Sequence, residues 1–159
     1  MVASERVVIQ KVQAKDLPMV IEVERLSFGS PFPPSYIHTL AVLSPETFLT
    51  AKVDGRVVGY VVSTIRGRVA HVLSLAVHPR YRRRRVGGTL LFKTFEVMTG
   101  KVSSIELEVR KSNTAAQRLY EKAGFKATST VKAYYNDGED AVVMKLILAE
   151  KHSVVERSL

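Results

Sequence analysis

The 159-residue chain contains no cysteine. That absence excludes a disulfide framework, a thiolate metal site and a covalent cysteine nucleophile. Long apolar runs are missing as well. Stretches such as 57–62 and 72–77 fall well short of the ~18 residues a membrane span requires, and residues 1–5 lack the apolar segment of a signal peptide. The expectation is a soluble cytoplasmic protein with no membrane partner. Four histidines give a thin basis for a histidine-built metal site, and no metal is expected. With 46% hydrophobic and 25% charged residues, the composition is neither disordered nor fibrous and suits one globular domain with its own core.

Acidic residues are in short supply, 15 against 24 lysines and arginines, for a net charge of +9. The excess is local. Arg80, Arg82, Arg83, Arg84 and Arg85 supply five of those charges, and without them the net charge would be +4. A cluster of this kind favours a phosphate-bearing ligand at one place. A nucleic-acid face spreads lysine and arginine over a stripe, and the stacked aromatics or recognition helix of such proteins are not evident, so nucleic acid is not an expected partner.

The β-branched stretch 6–13 predicts a first strand. Asp16 is expected to cap a helix with Pro18 in its first turn and amphipathic spacing through Leu17, Val20, Ile21, Glu24 and Phe28. Three prolines at 31, 33 and 34 exclude regular structure from 29–34, and a short helix from Ser35 to about Leu43 should follow. Asp54-Gly55 between strands 48–53 and 56–65 is a strong hairpin signal. Strand 69–77 then runs into the arginine cluster and a helix from about Val86 to Thr99, followed by strand 105–109, helix 114–123 and a stop at Gly124. A last hairpin joins 125–135 and 140–148 around 136–139. Strand, helix and strand with short links predict a parallel crossover. The expected fold is an α/β (α+β mixed) domain over 1–148, with about seven strands and four helices, and a loosely held tail at 149–159.

Between the strand ending at Val77 and the helix beginning at Val86, the basic turn carries Gly87 and Gly88. Unpaired amides at a helix N-terminus, with glycines that admit close approach, suit a pyrophosphate. A solvated basic loop is the other reading of the same residues. Here the sequence resembles the GCN5-related N-acetyltransferase (GNAT) superfamily, whose acetyl-CoA turn reads Arg/Gln-x-x-Gly-x-Gly/Ala. Arg82-x-x-Arg85-x-Gly87 matches it, with Arg85 where the family usually has its first glycine. The expectation is that Arg85 adopts an ordinary helical backbone and meets phosphate through its charge, while Gly87 and Gly88 supply the close approach. The resemblance extends to Leu107-Glu108-Val109-Arg110-Lys111-Ser112-Asn113 and to Leu119-Tyr120-Glu121-Lys122-Ala123-Gly124-Phe125. Tyr134-Tyr135-Asn136-Asp137-Gly138-Glu139-Asp140-Ala141 resembles the hairpin of protein N-terminal acetyltransferases of the archaeal and ribosomal-protein-alanine types.

The resemblance implies an acyltransferase that moves acetyl from acetyl-CoA to a free protein or peptide N-terminus by direct attack, with ribosomal or nascent chains among its partners. Acetyltransferases for lysines or small amines are the alternative within the superfamily. A peptide α-amine has a pKa near ~8, so modest base help suffices. His71 and Glu108 resemble positions implicated in that base. Each also has an ordinary reading, as a satisfied strand histidine and an outward carboxylate. Tyr120 is implied as the general acid, or else packs as a core aromatic. Leu75, Ala76 and Val77 would offer backbone N–H groups to the thioester oxygen. Arg82, Arg83, Arg84, Arg85, Val86, Gly87, Gly88, Asn113, Tyr120 and Lys122 are implied cofactor contacts, and Asn113 is equally a helix cap. Phe32, Tyr134 and Tyr135 would wall the peptide entrance, or simply pack.

Overall fold

The chain passes through β1 (Val8–Lys11), α1 (Leu17–Ser27), α2 (Pro34–Leu43), β2 (Phe48–Val53), β3 (Arg56–Arg66), β4 (Val69–Val77), α3 (Val86–Met98), β5 (Ser104–Arg110), α4 (Thr114–Lys122), β6 (Lys126–Val131) and β7 (Ala141–Ile147). This is a computed structural model, and it describes residues 6–148. Residues 1–5 and the expected tail at 149–159 lie outside the described residues. The strands form one mixed sheet in the order β1-β2-β3-β4-β5-β7-β6. Seven strands, four helices and the parallel β4–β5 pairing agree with the reading of the sequence. Among the described residues, no helix is long and apolar enough to cross a membrane.

Two compact units share this chain. The first runs to Ser63 and resumes over Ser74–Val97; the second comprises Thr64–Leu73 and the chain from Met98 on. In the first, Asp54 and Gly55 turn the β2–β3 hairpin with φ of 49° and 77°, the left-handed pair that a two-residue type I′ turn needs. The apolar face of α1 buries Leu17, Val20 and Val23, and α2 buries Ile37 and Leu40. Asp16 departs from its expected role. Its side chain makes no cap bond to α1 but accepts from the Gln13 N–H at 2.8 Å and meets Lys52 Nζ at 2.8 Å, because burial forces the carboxylate onto a charged partner. At Gly59 an added Cβ would lie 3.0 Å from the Ala76 carbonyl oxygen and 3.3 Å from both Val86 and Leu90. Only glycine lets β3, the end of β4 and α3 pack so closely.

In the second unit, β5 alternates from Ile105 onward. Ile105, Leu107 and Val109 are buried, while Glu106, Glu108 and Arg110 line the opposite face. Parallel pairing sets His71 opposite Glu106, and antiparallel pairing with β7 sets Val143 opposite Glu108. Gly124, at φ 106°, ends the turn after α4, as its position suggests. The last hairpin is wider than expected. β6 stops at Val131 and β7 starts at Ala141, because Arg110 draws Asp137 and Glu139 together and Ala133 turns at φ 50°.

Candidate active site

The first unit carries the basic turn. After β4 closes with Leu75, Ala76 and Val77, a short 3-10 turn (Pro79–Tyr81) leads to Arg82, whose Nε donates to the Val77 carbonyl at 3.0 Å. Arg84 sits over the Tyr81 ring at 5.2 Å. Arg83 and Arg85 both have φ of 63°. The expectation of an ordinary helical backbone at Arg85 is therefore corrected. A left-handed residue bends the chain into α3, and the Arg85 carbonyl then accepts the first helical bond, from the Thr89 N–H at 3.0 Å. Left-handed residues at 83 and 85, each following a residue of negative φ, bend the chain sharply just ahead of α3. Val86 is buried at the helix start, and a Cβ on Gly88 would meet no protein atom within 4 Å. Backbone donors, helix N-terminus and exposed arginines together suit a pyrophosphate.

Also in the first unit, Phe32 stacks edge-on against Tyr36 at 5.0 Å between centroids. Its N–H donates to Glu24 Oε1 at 3.0 Å. Glu24 Oε2 in turn accepts from the Tyr60 and Ser74 hydroxyls. The sequence reading missed this group. Glu24 was legible only as one position of an amphipathic stripe, and the signal available was a carboxylate on the apolar face of a helix.

The second unit holds the residues expected to serve as base and acid. His71 Nε2 and Glu108 Oε2 lie 2.5 Å apart, with the side chains 37% and 23% exposed. The bond to Glu108 holds the His71 pKa above its ordinary value, with burial opposing and Glu106 adding to the rise. Both expected base residues thus face solvent as one hydrogen-bonded pair. Tyr134 and Tyr135 pack edge to face at 5.0 Å, and Arg110 lies 4.0 Å from the Tyr135 ring centre while bridging Asp137 and Glu139. Glu108 raises the pKa of both tyrosines, although burial is the larger cause for each; Tyr135 is pushed up to about 12. Tyr120 is buried, and burial with help from Tyr135 pushes its phenol up to about 12. It therefore stays protonated throughout the neutral range. Asn113 caps α4, its Oδ1 accepting from the Ala116 N–H at 3.1 Å, and Lys122 is exposed at the end of that helix. Among the described residues, no group of three or more His, Asp or Glu side chains is placed to hold a metal ion.

Three comparisons bear on this arrangement. The family model described as "Acetyltransferase (GNAT) family" matches residues 17–125. An N-alpha-acetyltransferase of Sulfurisphaera tokodaii is 33% identical over 150 residues, covering 86% of this chain and 90% of its own. The ribosomal protein bS18 alanine N-acetyltransferase of Escherichia coli is 30% identical over 144 residues, covering 87% and 95%. The crystal structure of Ard1 from Thermoplasma volcanium superposes with a TM-score of 0.87 at 32% identity, covering 91% of this chain and 99% of that one.

Proposed function

We propose that this chain, which belongs to the acetyltransferase (GNAT) family and is an acetyl-CoA-dependent acyltransferase, acts on the free α-amine of protein and peptide N-termini. Acetyl-CoA supplies the activated acetyl group. A carbon–nitrogen bond forms as the carbon–sulfur bond breaks, the amine gives up a proton, and the departing thiolate takes one. The observation that carries the reading is the hydrogen-bonded His71–Glu108 pair, partly exposed beside the Tyr134–Tyr135 hairpin. An α-amine with a pKa near ~8 needs only a mild base, and a histidine whose pKa is raised by a carboxylate becomes neutral and competent as pH rises above that value. A lysine near ~10.4 would ask for more.

The remaining roles follow from chemistry. The 82–88 turn, with Arg82, Arg83, Arg84, Arg85, Val86, Gly87 and Gly88, binds pyrophosphate. The backbone N–H groups of Leu75, Ala76 and Val77 receive the thioester oxygen. Asn113 and Lys122 contact the cofactor, Asn113 while still capping α4. Tyr120, protonated at working pH, gives its O–H to the departing sulfur. Phe32, Tyr134 and Tyr135 hold the peptide. The names of two relatives support N-terminal acceptors, one of them a ribosomal protein, and newly made chains fit the same chemistry.

A peptide library varying the first two residues, each member with a free or a blocked N-terminus and an internal lysine, tests the reading. Acetylation of free N-termini at rates far above the blocked series is expected. Comparable rates on blocked peptides would instead indicate a lysine or small-amine acetyltransferase.

A further inference from the structure

Glu24 carries a carboxyl group, is only 3% exposed, and has no part in the acid–base or phosphate chemistry. A carboxylate buried to that degree is costly unless its oxygens are hydrogen-bonded, and both of these are. Tyr60, fully buried on β3, and Ser74 on β4 donate to Oε2, Ser74 at 3.3 Å, and the two hydroxyls lie 2.9 Å from each other. Oε1 takes the Phe32 N–H at 3.0 Å. In Pro31-Phe32-Pro33-Pro34, Phe32 has the one N–H, since proline has none. Glu24 therefore ties the single backbone donor of the proline segment to two hydroxyls of the sheet. The Phe32 ring is in turn fixed against Tyr36 on α2. Burial and the neighbouring Glu24 raise the Tyr60 pKa, so its phenol remains a donor at any working pH.

We propose that Glu24 is a positioning residue which, through the Phe32 amide, fixes the 29–34 loop and thereby sets which first residue of the amine substrate is accepted. The inference rests on the reading that Phe32 walls the peptide entrance. Without Glu24, the amide loses its anchor and the loop samples other positions. Misplacement on the ångström scale costs substrate turnover up to about a hundredfold. The pyrophosphate turn keeps its own hydrogen bonds and should be indifferent.

The test compares wild type with Glu24→Ala, with Glu24→Gln, whose amide oxygen can still accept from Phe32, and with Tyr60→Phe, which removes one donor to the carboxylate and keeps the ring. Peptide KM and kcat are measured on Ser-, Ala-, Thr- and Met-initiated peptides, and acetyl-CoA affinity by calorimetry. Glu24→Ala should raise peptide KM about tenfold or more and flatten the preference among first residues, with acetyl-CoA affinity within about twofold of wild type. Glu24→Gln should restore most of the loss. Should Glu24→Ala fail to fold, Tyr60→Phe carries the test, with a smaller change of the same sign. Unchanged peptide KM and preference in the folded variants, or equal losses toward peptide and acetyl-CoA, would overturn the inference and leave N-terminal acetylation standing. Wild type inactive on every free N-terminus would overturn both.

Discussion

Arg85 offers a clean separation of backbone strain from side-chain charge. At φ 63° it occupies the left-handed region, which costs a non-glycine residue about 1–2 kcal/mol. Its guanidinium is exposed in the basic turn, where a cationic contact to a phosphate would contribute roughly 0.2–1 kcal/mol. Arg85→Ala and Arg85→Gly remove the same charge, but only glycine relieves the strain. Relief is partly offset by the larger entropy of unfolded glycine, about 0.4–1 kcal/mol. Glycine at 85 should therefore be more stable than alanine by about 1 kcal/mol, or ~2–4 °C in Tm. Binding should behave differently. If the turn has the same backbone with the site empty or filled, strain cancels between the two states and both variants should bind acetyl-CoA about 1.4–5-fold more weakly. Both should also show a shallower salt dependence than wild type. Thermal denaturation together with calorimetry at two salt concentrations measures each quantity. An alanine variant as stable as the glycine variant would refute the left-handed strain, and a glycine variant that binds more tightly than wild type would refute the separation itself.

Glu108→Gln replaces the charged acceptor that raises the His71 pKa with a neutral amide, so the acid limb of kcat/KM should move to lower pH while the plateau falls; an unmoved limb would mean that His71 does not set it. The sign for stability follows from the same shift. The pair's contribution is complete below the unfolded histidine pKa and is lost as pH rises through the raised folded value, so denaturation midpoints of wild type and Glu108→Gln should converge on the alkaline side. Tyr120→Phe should slow turnover about 10–100-fold with acetyl-CoA affinity retained, and undiminished turnover in a stopped assay would remove the hydroxyl from the chemistry. Gly59→Ala should destabilise the fold by about 1–3 kcal/mol in urea, since the new Cβ meets the Ala76 carbonyl oxygen at 3.0 Å, and an unchanged midpoint would contradict that packing. Lys52→Met strands the buried Asp16 carboxylate and should cost about 3–5 kcal/mol in the same assay; a loss below about 1 kcal/mol would show the pair to be solvated.

Local signals dictated most of the architecture. Asp54-Gly55 could only be a tight turn, the prolines at 31, 33 and 34 could only interrupt regular structure, and strand–helix–strand with short links required the parallel β4–β5 pairing. His71 and Glu108 were legible as neighbours for the same reason, since adjacent strands with alternating faces bring them to one side. What escaped the sequence depends on distant partners. Lys52 lies on a strand and Asp16 before a helix, and nothing local says that each is buried for the other's sake. Glu24 resembles any amphipathic position until Tyr60, Ser74 and the Phe32 amide converge on it. The left-handed turns at Arg83, Arg85 and Ala133 carry no glycine to announce them, so tertiary packing overrides the local preference there.

One peptide with a free serine N-terminus and a single internal lysine, incubated with the protein and acetyl-CoA, sets both amines against each other in the same molecule. Fragment mass spectrometry of the singly acetylated product then places the group. N-terminal acetylation predicts the acetyl on the serine α-amine in nearly every molecule at neutral pH, with the lysine unmodified. An acetyl on the lysine ε-amine, or an even division between the two, would contradict it.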